Sequence, residues 1–279
     1  MAMPWSERQR SMLERMGLRV WARGAVAAPS QAMPPERQPA PLKVRPAPTS
    51  APTPVPIRPA VSAVVPAPAP VVAVAASASA AGAVSTLDWP ALQQVVAGCR
   101  ACGLCESRTR TVFGVGHPQA HWLVVGEAPG AEEDRQGEPF VGAAGQLLDR
   151  MLAALDLSRA DDGARPAARS VYIANTLKCR PPGNRNPTPD ELARCEPYLA
   201  RQIDLLQPRI VLAMGRFAVQ SLLRSDEAIG KLRGRVHAYQ GVPLVVTYHP
   251  AYLLRNPADK AKAWDDLCLA ADLAERGPR

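Results

Sequence analysis

The sequence predicts an α/β protein: a three-layer α-β-α arrangement around a central, mostly parallel, four-stranded sheet, preceded by a disordered Pro/Ala-rich leader. Three observations carry the prediction. From about residue 88 onward, short runs rich in Val, Ile, Leu and Ala alternate with longer amphipathic stretches. The short runs are almost continuously apolar, as in strands buried on both faces. Most of them end at once in Gly, Pro or Asn, so the chain leaves the sheet through a turn. Strand and helix in alternation build a parallel sheet covered by helices.

The elements follow in order. HWLVVGEAPG (121–130) is a buried strand ending in a Gly/Pro turn. AGQLLDRMLAALDL (144–157) is a helix whose Leu147, Leu148, Met151, Leu152 and Leu155 share a face. VYIANTLK (171–178) is the second strand. The next helix starts at TPDE (188–191): Thr188 caps it, Pro189 takes the first position and Glu191 closes a capping box. RIVLAMG (209–215) is the third strand, RFAVQSLL (216–223) a helix, and VPLVVTYHP (242–250) the fourth strand. Residues 258–276 form the last helix.

The first 84 residues read differently. Residues 1–23 contain a short amphipathic helix with Leu13, Met16, Val20 and Trp21 near one face, suited to docking on a protein partner or to packing back on the domain. Residues 24–84 form the Pro/Ala-rich linker. The domain occupies 85–279. The apolar tail of the linker is broken by proline and built from small residues, unlike the run of about 20 strongly apolar residues that spans a membrane. The charged start excludes a secretory signal. A cytoplasmic, reducing location follows, which disfavours disulfides. A net charge of +8 suggests a polyanionic partner. Nine Lys/Arg against three Asp/Glu lie in residues 1–85, however, so the domain is nearly neutral, at 24 against 22.

Chemistry gathers at the strand ends, where open α/β sheets bind ligands. GEAPGAEEDRQGEPFVG (126–142), Asn175 with KCRPPGNRNP (178–187), MGRFA and HPAYLLRNP (249–257) supply carboxylates, an aromatic ring, an amide, a histidine and arginines. Each alone has a bland reading: turns, a solvated acidic face at Glu132, Glu133 and Asp134, a core Phe140, a structural His249. Upstream, GCRACGLCESR (98–108) holds Cys99, Cys102 and Cys105, and Cys179 and Cys195 follow at a spacing of C-x15-C. Cys99, Cys102, Cys179 and Cys195 suit zinc or an iron–sulfur cluster, and spacing does not decide between them. Cys268 reads as a buried thiol.

Four segments in order, C-x-x-C followed by RTRTVFGVG, VVGEAPGAEEDRQGEPFVGAAGQLLDRML, VYIANTLKCRPPGNRNPTPDE and HPAYLLRNP, resemble the family 4 uracil-DNA glycosylases, the iron–sulfur branch of that superfamily. The resemblance runs from about residue 92 to 258. It implies excision of uracil from DNA after base flipping. It implies a [4Fe–4S] cluster on Cys99, Cys102, Cys179 and Cys195, with Cys105 a spare thiol. It places the uracil against Phe140, Asn175 and backbone N–H groups around Ala128 and Gly130. His249 stabilises charge on the leaving base, and Glu133 or Glu127 assists water, Glu133 being preferred. Lys178, Arg180, Arg185 and Arg255 contact phosphates, while Tyr252, Leu253 and Leu254 form a wedge. Uracil-containing DNA is the implied partner and a monomer the implied state. Ala128 stands where other branches of the superfamily carry an aspartate. No Arg-rich, histidine-bearing insertion follows the second strand, so turnover is expected rather than a covalent adduct. The competing readings are a non-catalytic glycosylase-like nucleic-acid-binding module attached to replication or repair machinery, and an iron–sulfur electron carrier or redox sensor.

Overall fold

The computed structural model describes residue 82, residues 84–161 and residues 163–276. The leader helix and most of the linker expected from the sequence lie outside the described residues. Val84 is already packed with Leu92 and Val96.

Six strands form one sheet in the order β1-β3-β2-β4-β6-β5. They are β1 (Val115–Gly116), β2 (Trp122–Gly126), β3 (Val171–Asn175), β4 (Ile210–Met214), β5 (Val236–Tyr239) and β6 (Val242–Thr247). The four strands expected from apolar runs are β2, β3, β4 and β6, and all three pairings among them are parallel. The sheet is wider than the four strands expected. β1 and β5 pair antiparallel along its two edges. Both are short and only half-apolar, because an edge strand is not buried on both faces. Gln240 and Gly241, between β5 and β6, both take positive φ, +48° and +84°, as a tight hairpin turn requires.

Side chains alternate across the sheet. Val124, Ile173, Leu212 and Val245 point to one face, where α4 (Ala143–Ala153), α8 (Pro250–Arg255) and α9 (Lys260–Arg276) cover them. Val125, Ala174, Ala213 and Val246 point to the other, under α5 (Pro189–Leu206), α6 (Arg216–Leu223) and α7 (Ile229–Leu232). This is the three-layer α-β-α architecture. The capping box is formed: Thr188 Oγ1 accepts the Glu191 N–H at 3.3 Å, and Glu191 Oε2 accepts the Thr188 N–H at 2.8 Å. A smaller cluster beside the sheet joins α1 (Trp89–Ala97), α2 (Leu104–Ser107) and α5 through Leu92, Leu104, Leu177 and Tyr198. One more helix, α3 (Ala131–Gln136), follows the turn after β2. No helix among the described residues is long and apolar enough to cross a membrane.

The chain runs from β2 to β3 on one side, then returns to place β4 on the other side of β2. The end of β2 is therefore the switch point, where a crevice opens above the sheet.

Candidate active site and cysteine cluster

A cleft of about 730 Å³ lies at this switch point, with Glu127, Ala128, Gly130, Arg185, His249 and Arg255 among its lining residues. Glu127 crosses the switch point: its Oε1 accepts the Phe217 N–H, at the start of the helix after β4, at 3.1 Å. Burial pushes the Glu127 carboxyl up, against the pull of the Phe217 and Arg216 N–H groups.

Phe140 and Asn175 lie deeper, 5 % and 3 % exposed, and are not among the residues lining the cleft. They meet at Gly126, where an added Cβ would overlap both the Asn175 side-chain oxygen and the Phe140 ring. Phe140 is held at φ +56°, a left-handed backbone that costs a bulky L-residue about 1–2 kcal/mol. Its ring stacks on His249 with centroids 5.2 Å apart and planes 24° apart.

His249 is the cap of α8, and its Nδ1 accepts the Ala251 N–H at 3.2 Å. Burial, with help from the nearby Arg255 charge, lowers its pKa to about 4. The ring is then neutral at pH 7. With Nδ1 occupied as an acceptor, the proton sits on Nε2, which is a hydrogen-bond donor.

Glu133 is not among the residues lining the cleft. Its Oε2 accepts the Gly130 N–H at 3.1 Å and its Oε1 accepts the Val141 N–H at 3.2 Å, so it ties the loop after β2 to the Phe140 turn. The Gly130 N–H is thereby committed within the loop. Of the two carboxylates singled out in the sequence, only Glu127 lines the cleft.

Two residues expected at the DNA surface are elsewhere. Lys178 is 1 % exposed. Its Nζ donates to the Asn175 carbonyl at 2.9 Å and to Gln202 Oε1 at 2.6 Å, which turns the ammonium into the protein. Burial lowers its pKa to about 8, against the pull of the Cys195 and Cys179 sulfurs. Leu253 is fully buried in the core, because the AYLLR stretch is helix α8 rather than an open loop. Successive helical residues point about 100° apart, so the three wedge residues cannot share a direction. Leu254 is the exposed one, at 44 %. Tyr252 bonds Asp259 at 2.7 Å and stacks on Tyr248. Arg180 and Arg185 remain at the surface, Arg180 bonded to Asn184 and Arg185 paired with Glu191.

Cys99, Cys102, Cys179 and Cys195 all line one small hollow with Leu104 and Leu177, and Cys105 and Cys268 do not. Donors aim at the sulfurs: Arg108 at Cys179 at 3.1 Å, the Lys178 N–H at Cys195 at 3.2 Å, the Ala101 N–H at Cys99 at 3.5 Å. Burial pushes the Cys195 thiol up to about 12 and raises Cys102 and Cys179. No three His, Cys, Asp or Glu side chains among the described residues are placed to hold one metal ion.

Residues 113–268 match the family model described as the uracil DNA glycosylase superfamily. The chain is 42 % identical over 170 residues to the type-4 uracil-DNA glycosylase of Archaeoglobus fulgidus, covering 58 % of this chain and 81 % of that protein. It is 40 % identical over 193 residues to the type-4 enzyme of Pyrobaculum aerophilum, covering 66 % and 93 %. It is also 42 % identical over 175 residues to the type-4 enzyme of Sulfurisphaera tokodaii, covering 60 % and 76 %. The family match spans the sheet, the switch-point cleft and two of the four clustered cysteines, Cys179 and Cys195, and the chain belongs to the uracil DNA glycosylase superfamily, in its type-4 branch.

Proposed function

We propose that the chain excises uracil from DNA by hydrolysing its N-glycosidic bond, leaving an abasic site as the first step of base excision repair. One observation carries the reading: a buried His249 whose Nδ1 accepts the Ala251 N–H stacks on Phe140, and Phe140 meets Asn175 at Gly126. A base inside a duplex has to leave the stack to reach so deep a site. Phe140 then covers one face of the flipped uracil. Asn175 reads its edge: the amide donates to O4 and accepts from N3–H, and cytosine presents the opposite pattern.

As the C1′–N1 bond breaks, its electron pair passes into the ring and negative charge gathers on O2. The His249 Nε2–H donates there. One donor of this kind accelerates such a step about 10²–10³-fold. Water adds to C1′ and gives up a proton, and the departing uracil takes one at N1. Glu127, on the cleft wall, is the carboxylate assigned to the water, and Glu133 is assigned to holding the loops together. Ala128 is left as that loop's backbone donor to the base. Arg180, Arg185 and Arg255 serve the phosphates, and Leu254 is the residue that reaches toward the stack. A binding-only module would have no use for the His249, Phe140 and Asn175 arrangement.

Cys99, Cys102, Cys179 and Cys195 fit a [4Fe–4S] cluster by their number, their sharing of one hollow and the donors aimed at their sulfurs. When bound, the cluster supplies iron–thiolate bonds that link the start of the domain to the segment after β3. That segment follows Asn175, and the Lys178 ammonium braces the Asn175 carbonyl. Four thiols reserved for a cluster call for a reducing setting, which supports a cytoplasmic location. Every group assigned to the reaction comes from a single copy of the chain, which supports a monomer. The N-terminal segment is assigned to recruitment by a protein partner.

The test is alkaline strand cleavage of a labelled oligonucleotide carrying one uracil, beside cytosine and thymine controls. Cleavage at uracil alone is the expected result. No cleavage by protein with verified iron content would overturn the reading.

A further inference from the structure

Phe140 carries a left-handed backbone at φ +56° while facing His249 with its ring. A bulky side chain keeps that conformation only where its surroundings over-determine it. Arg159 grips the turn directly. Its Nη1 donates to the Pro139 carbonyl at 2.7 Å and its Nη2 to the Phe140 carbonyl at 2.8 Å. The same Nη2 is paired with Asp149 Oδ2, on helix α4, at 2.7 Å. The guanidinium is thus fixed from the helix and grips the turn by two consecutive carbonyls. Its planar fork can do this; a lysine ammonium is a single point of charge.

Two neighbours complete the grip. Glu133 holds the turn from its other side through the Val141 N–H. Gly145 lets α4 lie directly on the turn, since a Cβ there would fall on the Phe140 carbonyl. Arg159 itself is only 18 % exposed at its side chain and lines a separate hollow with Asp149 and Val115, not the switch-point cleft. Its hydrogen bonds reach the site through the Pro139 and Phe140 carbonyls.

We infer that Arg159 is a positioning residue for the glycosylase reaction: with Asp149, it fixes the Pro139–Phe140 turn and so sets the Phe140 ring against His249 for the flipped base. The inference rests on the uracil-excision reading above. It differs from a general stabilising role in acting through one residue. Loss of Arg159 slows the chemical step and leaves affinity for DNA intact, because the groups assigned to phosphates are untouched.

The experiment is a double-mutant cycle on the full chain, Arg159→Met against Phe140→Ala, read by single-turnover excision from a one-uracil oligonucleotide. Affinity for an oligonucleotide carrying a tetrahydrofuran abasic analogue is measured in parallel. Arg159→Met is expected to slow excision about 10²-fold, the loss that a misplacement of about 1 Å produces, with abasic-analogue affinity unchanged. In the Phe140→Ala background it is expected to add almost nothing, because residues acting as one unit are not additive. Independent, multiplying losses, or a fall in abasic-analogue affinity that accounts for the rate, would overturn the inference. If Arg159→Met does not fold, Asp149→Asn enters the same cycle with the same expected pattern and a smaller loss. Amide hydrogen exchange of the 139–143 segment in Arg159→Met or Asp149→Asn gives a readout without substrate, and unchanged protection would also overturn it. A wild-type protein that excises no uracil would sink the functional reading instead, and the exchange measurement would still judge the clamp.

Discussion

The Nδ1 atom of His249 accepts the Ala251 backbone N–H at 3.2 Å, and this bond decides which nitrogen carries the ring proton. The ring's pKa, lowered to about 4, keeps it neutral through the physiological range. His249→Ala is therefore expected to cut single-turnover excision about 10²–10³-fold while leaving abasic-DNA binding largely intact. Wild-type excision should show no inflection between pH 5.5 and 8 that disappears in the variant (a window set about the unperturbed histidine value). Stability carries the opposite signature. The unfolded ring takes a proton below about 6.5, but the folded ring does not until about pH 4. Stability is lost as pH falls through that interval, by about 1.4 kcal/mol per unit of pKa difference. His249→Gln should flatten this acid-side slope in thermal melts, and an unchanged slope would contradict the buried neutral ring.

The two carboxylates separate by what they touch. Glu127 lines the cleft, whereas Glu133 spends both oxygens on the backbone N–H groups of Gly130 and Val141. Glu127→Gln should lower the single-turnover rate about 10²-fold with little change in melting temperature. Glu133→Gln puts an amide donor against a backbone donor and should cost about 1–3 kcal/mol of stability, with the smaller kinetic loss. The reverse ranking would return the water to Glu133.

Asn175→Asp replaces a donor–acceptor pair with two acceptors. The ratio of uracil to cytosine excision should fall about 10²-fold or more, since a site built around hydrogen bonds discriminates through them. Competition assays with both bases in matched oligonucleotides measure it, and unaltered selectivity would remove the edge-reading role.

Cys195→Ser and Cys179→Ser should each abolish visible absorbance and lower bound iron, whereas Cys105→Ser should retain both. Only the first two thiols line the shared hollow. A colourless, iron-free Cys105→Ser protein would redraw the ligand set.

Arg255 and Lys178 lie in adjacent motifs but predict different salt behaviour. Arg255 lines the cleft and is exposed. Arg255→Gln should weaken DNA binding and reduce the slope of log affinity against log salt by about 1. Lys178→Met should leave the slope alone and destabilise the fold, because the Asn175 carbonyl and Gln202 lose a buried partner. A reduced slope in Lys178→Met would put its ammonium back at the phosphates.

Much of the fold was legible in local sequence. β2, β3, β4 and β6 announce themselves because a strand buried on both faces has to be apolar throughout, and the start of α5 because Thr188, Pro189 and Glu191 meet the needs of a helix N-terminus. The edge strands were not legible, since β1 has only two residues and β5 alternates exposed with half-buried positions. Phe140, Asn175 and His249, which the fold brings together, could be named from their motifs, and so could the four thiols that share the hollow.

The sequence by itself determined which chemical groups this protein owns and the order of its central strands and helices, because periodicity, caps and turn residues act over a few positions. Only the tertiary structure decided where those groups point. Lys178 looks like a surface cation, yet it lies in a buried segment and turns inward to oxygen atoms of Asn175 and Gln202. Leu253 and Leu254 look equivalent, yet the helix they share sends one into the core and the other into solvent. Glu127 and Glu133 are six residues apart and chemically alike, yet one meets Phe217 across the switch point and the other binds its own loop. Direction depends on which distant backbone groups come within about 3 Å, and chain crossings of tens of residues set that distance.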